Sequence, residues 1–335
     1  MENREQSAVA EKERVPLISV VIPCFRARDT LPALLESLER QSIGRDNFEI
    51  IVIDDGSDDG TRDYLATVPA VRLELQEHRG PGVARNVGST LAAAELVLYL
   101  DADLIASPGL LEAHWHHHRQ NPALAATGGS VMPVRPYPLL SWGLVDHLCS
   151  WFNVYPEFEH GGKPEYLPSL NFCVKKRLVD AVGIAWQNGL TVTGEDVVFC
   201  HDLHRAGLSI AFVPEAVVFH RDRETMAGYL HHMFRWGEHA PSVRGTYRDL
   251  KYSFLFPASR GGLLLTTPAI VLGYTWFLWY SWVRVRPLAV TLALPQIFLG
   301  RLAYARGVWK GMALAPRLRN RDSINAGLKA TENIP

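Results

Sequence analysis

Leu96-Val97-Leu98-Tyr99-Leu100-Asp101-Ala102-Asp103 is an unbroken apolar run that ends in two carboxylates. A short apolar run of this kind reads as a buried strand. Carboxylates delivered at a strand end suit Mg2+ or Mn2+, hard cations that take oxygen ligands and commonly use only one or two protein carboxylates, leaving positions for substrate phosphates. The ligand this predicts is a nucleoside diphosphate. By itself the pair reads equally well as solvated loop residues or as a helix cap, so the surrounding pattern has to decide.

Two further runs, Leu17-Ile18-Ser19-Val20-Val21-Ile22-Pro23 and Phe48-Glu49-Ile50-Ile51-Val52-Ile53-Asp54-Asp55, are β-branched and nearly continuous. Strands of a parallel sheet covered on both faces have this composition. Between them Leu31, Leu34, Leu35 and Leu38 recur at helical spacing, with Asp29 or Thr30 placed to cap the first turn. This is a β-α-β unit. A strand over residues 71–75, a helix over about 82–94 and the strand before Asp101 continue the alternation and predict an open α/β sheet. Ligands of such sheets bind beyond the carboxyl ends of the strands, where Asp54, Asp55, Asp101 and Asp103 all fall. Gly80-Pro81-Gly82-Val83-Ala84-Arg85 is no dinucleotide fingerprint, because Arg85 takes the third glycine position and the segment comes late in the pattern. An arginine there can present a bidentate guanidinium to an anion, or lie on a helix surface.

Val20-Val21-Ile22-Pro23, Asp54-Asp55-Gly56-Ser57, Gly82-Val83-Ala84-Arg85-Asn86-Val87-Gly88, Asp101-Ala102-Asp103 and Gly194-Glu195-Asp196 follow one another in the order and spacing of the family 2 glycosyltransferases. The chain resembles that family from about Leu17 to about His220. The resemblance implies the A-type glycosyltransferase fold, a Rossmann-like α/β nucleotide-binding domain. It also implies Mg2+ or Mn2+ and transfer of a sugar from a nucleotide diphosphate sugar with inversion.

Site roles follow from the same resemblance. Pro23, Asp54, Asp55, Arg85, Asp101, Asn171 and Glu195 are implied in binding the nucleotide sugar. A carboxylate of the Asp54-Asp55 pair holds the base, since an ionised carboxylate accepts from a ring N–H. Asp103 is implied as the direct metal ligand, with Asp101 and His220 alongside, and the ion neutralises the departing diphosphate. Asp196, in Val192-Thr193-Gly194-Glu195-Asp196, is implied as the catalytic base that takes the acceptor's proton. Glu195 and Asp196 also suit the positive start of a helix. Arg235-Trp236 resembles part of the Gln-x-x-Arg-Trp motif of processive synthases in this family, with His232 in place of the glutamine. The histidines at 114, 116, 117 and 118 point to different helix faces, which is poor zinc-site geometry, and His201 and His204 lack partners.

Composition agrees with a globular body plus a membrane element. Residues 261–283 contain no charge and include Trp276, Trp279, Tyr280 and Trp282. About 23 residues of helix reach about 35 Å, enough to cross a bilayer core. Residues 287–300 form a shorter apolar stretch that reads as re-entrant, interfacial or extended by snorkelling Arg301 and Arg306, and the alternative for residues 261–283 is a buried core helix. Arg244, Arg248, Lys251 and Arg260 precede the apolar region, and Arg301, Arg306, Lys310, Arg317, Arg319 and Arg321 follow it. That asymmetry predicts a hairpin with both ends cytoplasmic. Residues 1–14 are charged with no apolar signal segment, which places the catalytic domain in the cytosol. The expected organisation is a tail at 1–14, a catalytic domain at 15–240, a membrane-associated helical region at 241–312 and a polar tail at 313–335. Cys24, Cys149, Cys173 and Cys200 lack metal spacing and read as reduced thiols. A net charge of -1 argues against bulk nucleic-acid binding. The expected acceptor is lipid-linked or a growing glycan. The alternatives are a polyprenyl-phosphate sugar synthase or a non-catalytic nucleotide-sugar-binding assembly subunit.

Overall fold

The computed structural model describes residues 15–158, 164–187 and 194–312. Both predicted tails, and Val192-Thr193 of the last motif, lie outside them. The first half alternates as expected: β1 (Ile18–Cys24), α1 (Leu31–Leu38), β2 (Phe48–Asp54), α2 (Thr61–Leu65), β3 (Arg72–Leu75), α3 (Pro81–Leu91) and β4 (Leu96–Leu100). There follow β5 (Leu104–Ala106), α4 (Leu110–Gln120), β6 (Leu124–Pro133), α5 (Trp142–Ser150), β7 (Asn171–Lys175), α6 (Lys176–Asp180), α7 (Glu195–Arg205) and β8 (Ser209–His220). The rest is helical: α8 (Met226–Thr246), α9 (Arg260–Pro268), α10 (Tyr274–Trp282), α11 (Pro287–Leu292) and α12 (Leu294–Gly311).

The strands form one sheet in the order β3-β2-β1-β4-β7-β6-β8-β5. Strands β3, β2, β1 and β4 are mutually parallel, whereas β7 runs antiparallel to both β4 and β6, so the sheet is mixed. From β1 the chain moves outward to β2 and β3, then returns to place β4 on the other side of β1. The cleft therefore opens at the topological switch point, where the first crossovers diverge. Both faces of β1 and β4 are buried, which accounts for their continuous apolar sequence.

Helix α1 buries Leu31, Leu34, Leu35 and Leu38 against the sheet. Thr30 stands at its N-cap but makes no capping hydrogen bond. Pro32 at N2 has no N–H to offer, Ala33 N–H goes to the Thr30 carbonyl, and the Thr30 hydroxyl donates to Ala27 O instead. Helix α3 lies directly on β1 through Gly88, where a Cβ would stand 2.3 Å from Val21 Cγ1.

A second apolar cluster joins α5, α8, α10, α11 and α12 through Val145, Leu148, Tyr229, Met233, Leu278, Trp282 and Ile297. The Trp282 indole donates to the Leu148 carbonyl at 2.9 Å. Helices α8 and α12 meet backbone to backbone, because a Cβ at Gly307 would stand 2.1 Å from Phe234 O and one at Gly311 1.9 Å from Glu238 O. The predicted boundary at 240/241 thus falls inside α8, and the helical region is packed onto the catalytic body rather than hung from it. Helices α9 and α10, joined by a π turn at Ala269–Gly273, form one apolar run, Arg260–Trp282, of which 22% of the most apolar stretch is buried. Leu264, Leu265, Leu272, Trp276 and Tyr280 face outward. Arg301, expected to snorkel, is only 2% exposed. All four cysteines are free and buried.

Gly88→Ala tests the α3–β1 contact. Overpacking against a fully buried strand residue should lower stability by about 1–3 kcal/mol, read as a lower melting temperature. Gly245→Ala, in a helix with open space around it, should leave melting unchanged or raise it.

Candidate active site

A cleft of ≈ 400 Å³ opens beyond β1 and β4 and is lined by Pro23, Asp55, Arg85, Asp101, Asp103, Glu195, Asp196 and His220. Its volume is ordinary for a small-molecule site. Each of these residues is brought there by an identifiable local device.

Asp55 is buried at the exit of β2, and its carboxylate accepts from the backbone N–H groups of Arg79 and Gly80 at 2.8 and 2.9 Å. It thereby fixes the loop that starts α3, whose N-cap, Gly80, needs φ 93°. Asp54 does not line the cleft. It is fully buried, accepts from Ser57 N at 2.8 Å and from Arg62 Nε at 2.8 Å, and organises the turn after β2. Strand alternation sends the two neighbouring aspartates in opposite directions.

Arg85 points inward from α3 and is buried. Its Nη1 donates to Glu195 Oε1 at 3.0 Å and its Nη2 to Asp101 Oδ1 at 2.9 Å, while Cζ lies 5.0 Å over the Trp186 ring. Burial works against its charge, but the two carboxylates outweigh it and hold the guanidinium above its ordinary pKa. The sequence reading gives Arg85 to a ligand anion; the structure gives its amino groups to Asp101 and Glu195. Asp101 is pushed up by burial and by Asp103, with Arg85 opposing.

Strand β5 explains how Asp103 meets His220. It pairs antiparallel with β8 in the register Leu104↔His220, which leaves Asp103 Oδ2 3.7 Å from His220 Nε2. The other ring nitrogen, Nδ1, lies 3.1 Å from Asp222 Oδ1. Burial lowers the affinity of this ring for a proton, yet Asp222 and Asp103 together leave its pKa above the usual histidine value. Asp222 also accepts from Trp151 Nε1 at 2.9 Å and pairs with His147 Nδ1 at 3.0 Å. Burial alone would raise its pKa; the hydrogen bonds from His147 and His220 hold it well below the usual carboxylate range. Asp222 was not anticipated, although an acid two residues after a candidate histidine ligand is a readable signal. The stacked pair Phe25 and His78, with ring centroids 4.2 Å apart, also borders the cleft and carries no such signal.

Glu195 and Asp196 occupy the first turn of α7, where the helix dipole favours acids. Gly194 precedes them with φ +97°, and a Cβ there would stand 2.7 Å from Val243 Cγ2 in α8. Burial, reinforced by Glu195, pushes Asp196 up to about 7. A carboxyl with that affinity is suited to taking a proton near neutral pH.

Asn171 is not in the cleft. It is 1% exposed, its Oδ1 lies 2.9 Å from His114 Nε2, and its Nδ2 donates to Ser130 O at 3.3 Å and Ala216 O at 2.9 Å. It closes an internal polar network instead of reaching a sugar. Burial pulls His114 down to about 4, so it is a neutral core group.

Among the described residues no group of three or more His, Cys, Asp or Glu side chains forms a preformed metal cage. What converges is a half-exposed carboxylate, Asp103, and the Nε2 of a histidine whose Nδ1 is held by a second carboxylate. This donor set fits an ion that completes its shell from substrate phosphates.

The profile for Glycosyl transferase family 2 matches residues 19–158, and that for Glycosyl transferase family group 2 matches residues 96–304. Validoxylamine A glucosyltransferase of Streptomyces hygroscopicus subsp. jinggangensis is 38% identical over 104 residues, 30% of this chain and 25% of that enzyme. Poly-beta-1,6-N-acetyl-D-glucosamine synthase of Staphylococcus aureus is 24% identical over 241 residues, 70% of this chain and 57% of the synthase. The matches therefore span from a quarter to little more than half of these relatives' length. The crystal structure of S. aureus TarS 1-349 superposes with a TM-score of 0.51 at 15% identity, covering 90% of this chain and 91% of the other. TarS 1-349 in complex with UDP gives 0.50 at 16% identity with the same coverage. At these identities the likeness speaks to the fold, which is of the A-type glycosyltransferase class. With well over half its length inside the group 2 match, the chain belongs to glycosyltransferase family 2.

Proposed function

We propose that this chain moves a sugar, with inversion, from a nucleotide diphosphate sugar to a hydroxyl of a lipid-linked or growing glycan acceptor at the cytoplasmic face of a membrane. The observation that carries this reading is the single cleft that gathers Asp55, Arg85, Asp101, Asp103, Glu195, Asp196 and His220 from widely separated segments. Validoxylamine A glucosyltransferase, a sugar transferase by name, and the poly-beta-1,6-N-acetyl-D-glucosamine synthase support it, and the UDP complex of TarS makes UDP the first donor nucleotide to try.

In this reading the acceptor oxygen forms a bond to the anomeric carbon while the bond from that carbon to the diphosphate breaks, and Asp196 takes the hydroxyl proton. The base has to be ionised beforehand, and it has to stand on the face opposite the leaving group. Asp103 and His220, with Asp101 beside them, would hold Mg2+ or Mn2+, whose positive charge offsets that developing on the departing diphosphate. Arg85 acts at one remove, holding Asp101 and Glu195 in place. Among the aromatic groups, Phe25 and His78 stand where a flat base can stack.

Membrane association rests on the run Arg260–Trp282, with its outward Leu264, Leu265, Leu272 and Trp276. An apolar surface of this extent needs lipid or protein cover.

Asp196→Asn should lower transfer to a hydroxyl acceptor by on the order of 10²-fold or more while leaving nucleoside diphosphate affinity unchanged by calorimetry. In the unaltered chain kcat/KM should fall as pH drops through about 7, because protonation removes the base. The residual activity of the variant should lack that limb. Unimpaired transfer by a folded variant places the base elsewhere.

Asp103→Ala should remove Mn2+ binding in the presence of the nucleoside diphosphate, measured by the loss of free-ion electron paramagnetic resonance signal on titration. A folded variant that still takes up Mn2+ as the parent does would end the assignment.

A further inference from the structure

A second cavity, of ≈ 180 Å³, adjoins the donor cleft at Asp196. The two share Trp151, Pro168, Gly194, Asp196 and Trp236, so they join at the proposed base. Polar groups on its wall are mostly hydrogen-bond donors or cations: Tyr166, Tyr274, Tyr304, His239 and Arg244. Arg244 is half-buried, and its Nη1 donates to the Lys251 carbonyl.

Behind this wall lies Arg301 of α12. Its Cζ is 4.4 Å from the Tyr274 ring centroid and 5.2 Å from that of Tyr304. It is 2% exposed, its Nη2 touches Met233 Sδ at 2.7 Å, and its Nε has no hydrogen-bond partner among the described residues. No carboxylate among the described residues comes within ion-pair distance of it. The contrast with Arg85 is informative, for that side chain is equally buried and meets two carboxylates. A desolvated guanidinium without an anion is unfavourable, and ring faces and sulfur offset only part of the cost.

Helix α10 places Tyr274 on this cavity, and the same run, Arg260–Trp282, turns Leu264, Leu265, Leu272 and Trp276 outward. The helical run that supplies Tyr274 to the cavity wall thus also carries the outward apolar side chains. We propose that this cavity binds the phosphate-bearing linker of an amphiphilic acceptor, a lipid joined to a hydroxyl-bearing head through phosphate or diphosphate, with Arg244 on its wall as the contacting cation and Arg301, one layer behind Tyr274 and Tyr304, as a second positive charge. The inference rests on the glycosyltransferase reading and deepens it. It assigns the acceptor's anion to a place separate from the donor diphosphate. An uncharged glycan would use the aromatic walls but would leave Arg301 unmatched.

The test uses the full chain in neutral detergent, with the donor cleft saturated by whichever nucleoside diphosphate binds in the calorimetry above. Geranylgeranyl diphosphate, geranylgeraniol and phosphatidylglycerol are the probes. The diphosphate should bind at least about tenfold more tightly than the alcohol, as expected for charge-assisted hydrogen bonds to Arg244 with a second positive charge behind the wall. Arg301→Met should weaken that preference, keep its nucleoside diphosphate affinity, and melt no lower than the parent because a desolvated charge has gone. Arg244→Gln should lose the preference, and it keeps the test informative if the Met variant fails to fold. Equal binding of diphosphate and alcohol, or a preference retained in both folded variants, overturns the proposal. A Met variant that folds but melts well below the parent marks Arg301 as a packing element and also overturns it. Phosphatidylglycerol competing as well as the diphosphate identifies a general headgroup site and rejects the acceptor assignment. Absence of nucleoside diphosphate binding alongside an intact lipid preference rejects the donor reading and with it the acceptor assignment, and leaves only a lipid-phosphate site.

Discussion

One buried guanidinium holds the two halves of the cleft in register. Arg85 leaves α3 in the parallel part of the sheet and spans Asp101, at the end of β4, and Glu195, which is 110 residues further along the chain than Arg85. Arg85 and Glu195 are buried, and their charges are tolerated because each has a partner, while Asp101 is partly exposed. Removing Glu195 is strongly destabilising, mostly because it leaves the buried guanidinium with one partner fewer. The position of Asp196 follows from it, since the adjacent Glu195 cannot move without breaking the pair. Relative placement of base and reacting centre is worth several powers of ten in rate, and under the proposed function that placement would depend on this ion-pair set.

A second coupling works in the same manner on the opposite wall. The pairing of β5 with β8 sets Asp103 against His220, and Asp222 fixes which ring nitrogen faces it. Because Asp222 also takes Trp151 and His147 of the α5 region, the helical layer and the strand end share one carboxylate. A histidine oriented from behind by a carboxylate is the arrangement expected of a metal ligand.

Strands β1, β2 and β4 were legible in the sequence because a strand buried on both faces writes itself as a continuous apolar run. The antiparallel insertion of β7 was not, since a short apolar run carries no record of its direction. Asp54 and Asn171 show the limit for site residues. Both stand at strand ends facing the cleft's latitude, but the two-residue period decides which face receives the side chain, and the motif alone does not state it. The partner of Arg85 was unreadable for a different reason, because Glu195 is remote in sequence and joins it only after the sheet has formed. Arg301 was read as a snorkelling residue from its place beside an apolar stretch. Its true orientation is set by the small-residue face of α12, and Gly300, Gly307 and Gly311 were the available signal.

Those glycines also explain why the helical region is not an appendage. A Cβ at any of them would run into α8, with Gly300 meeting the Tyr229 hydroxyl at 1.9 Å, so close approach of the two helices depends on their absence of side chains. Helix α8 carries Trp236 into the donor cleft and His239, Val243 and Arg244 into the second cavity. Helix α12 in turn packs on the run Arg260–Trp282 through Ile270, Val271, Ala305 and Val308. The second cavity is therefore walled by helices packed against the run that presents the apolar surface, one of which, α10, belongs to that run. Under the proposed function a substrate that is half lipid and half sugar would meet both, which would make the joint between α8 and α12 as much a part of the site as the carboxylates beside it.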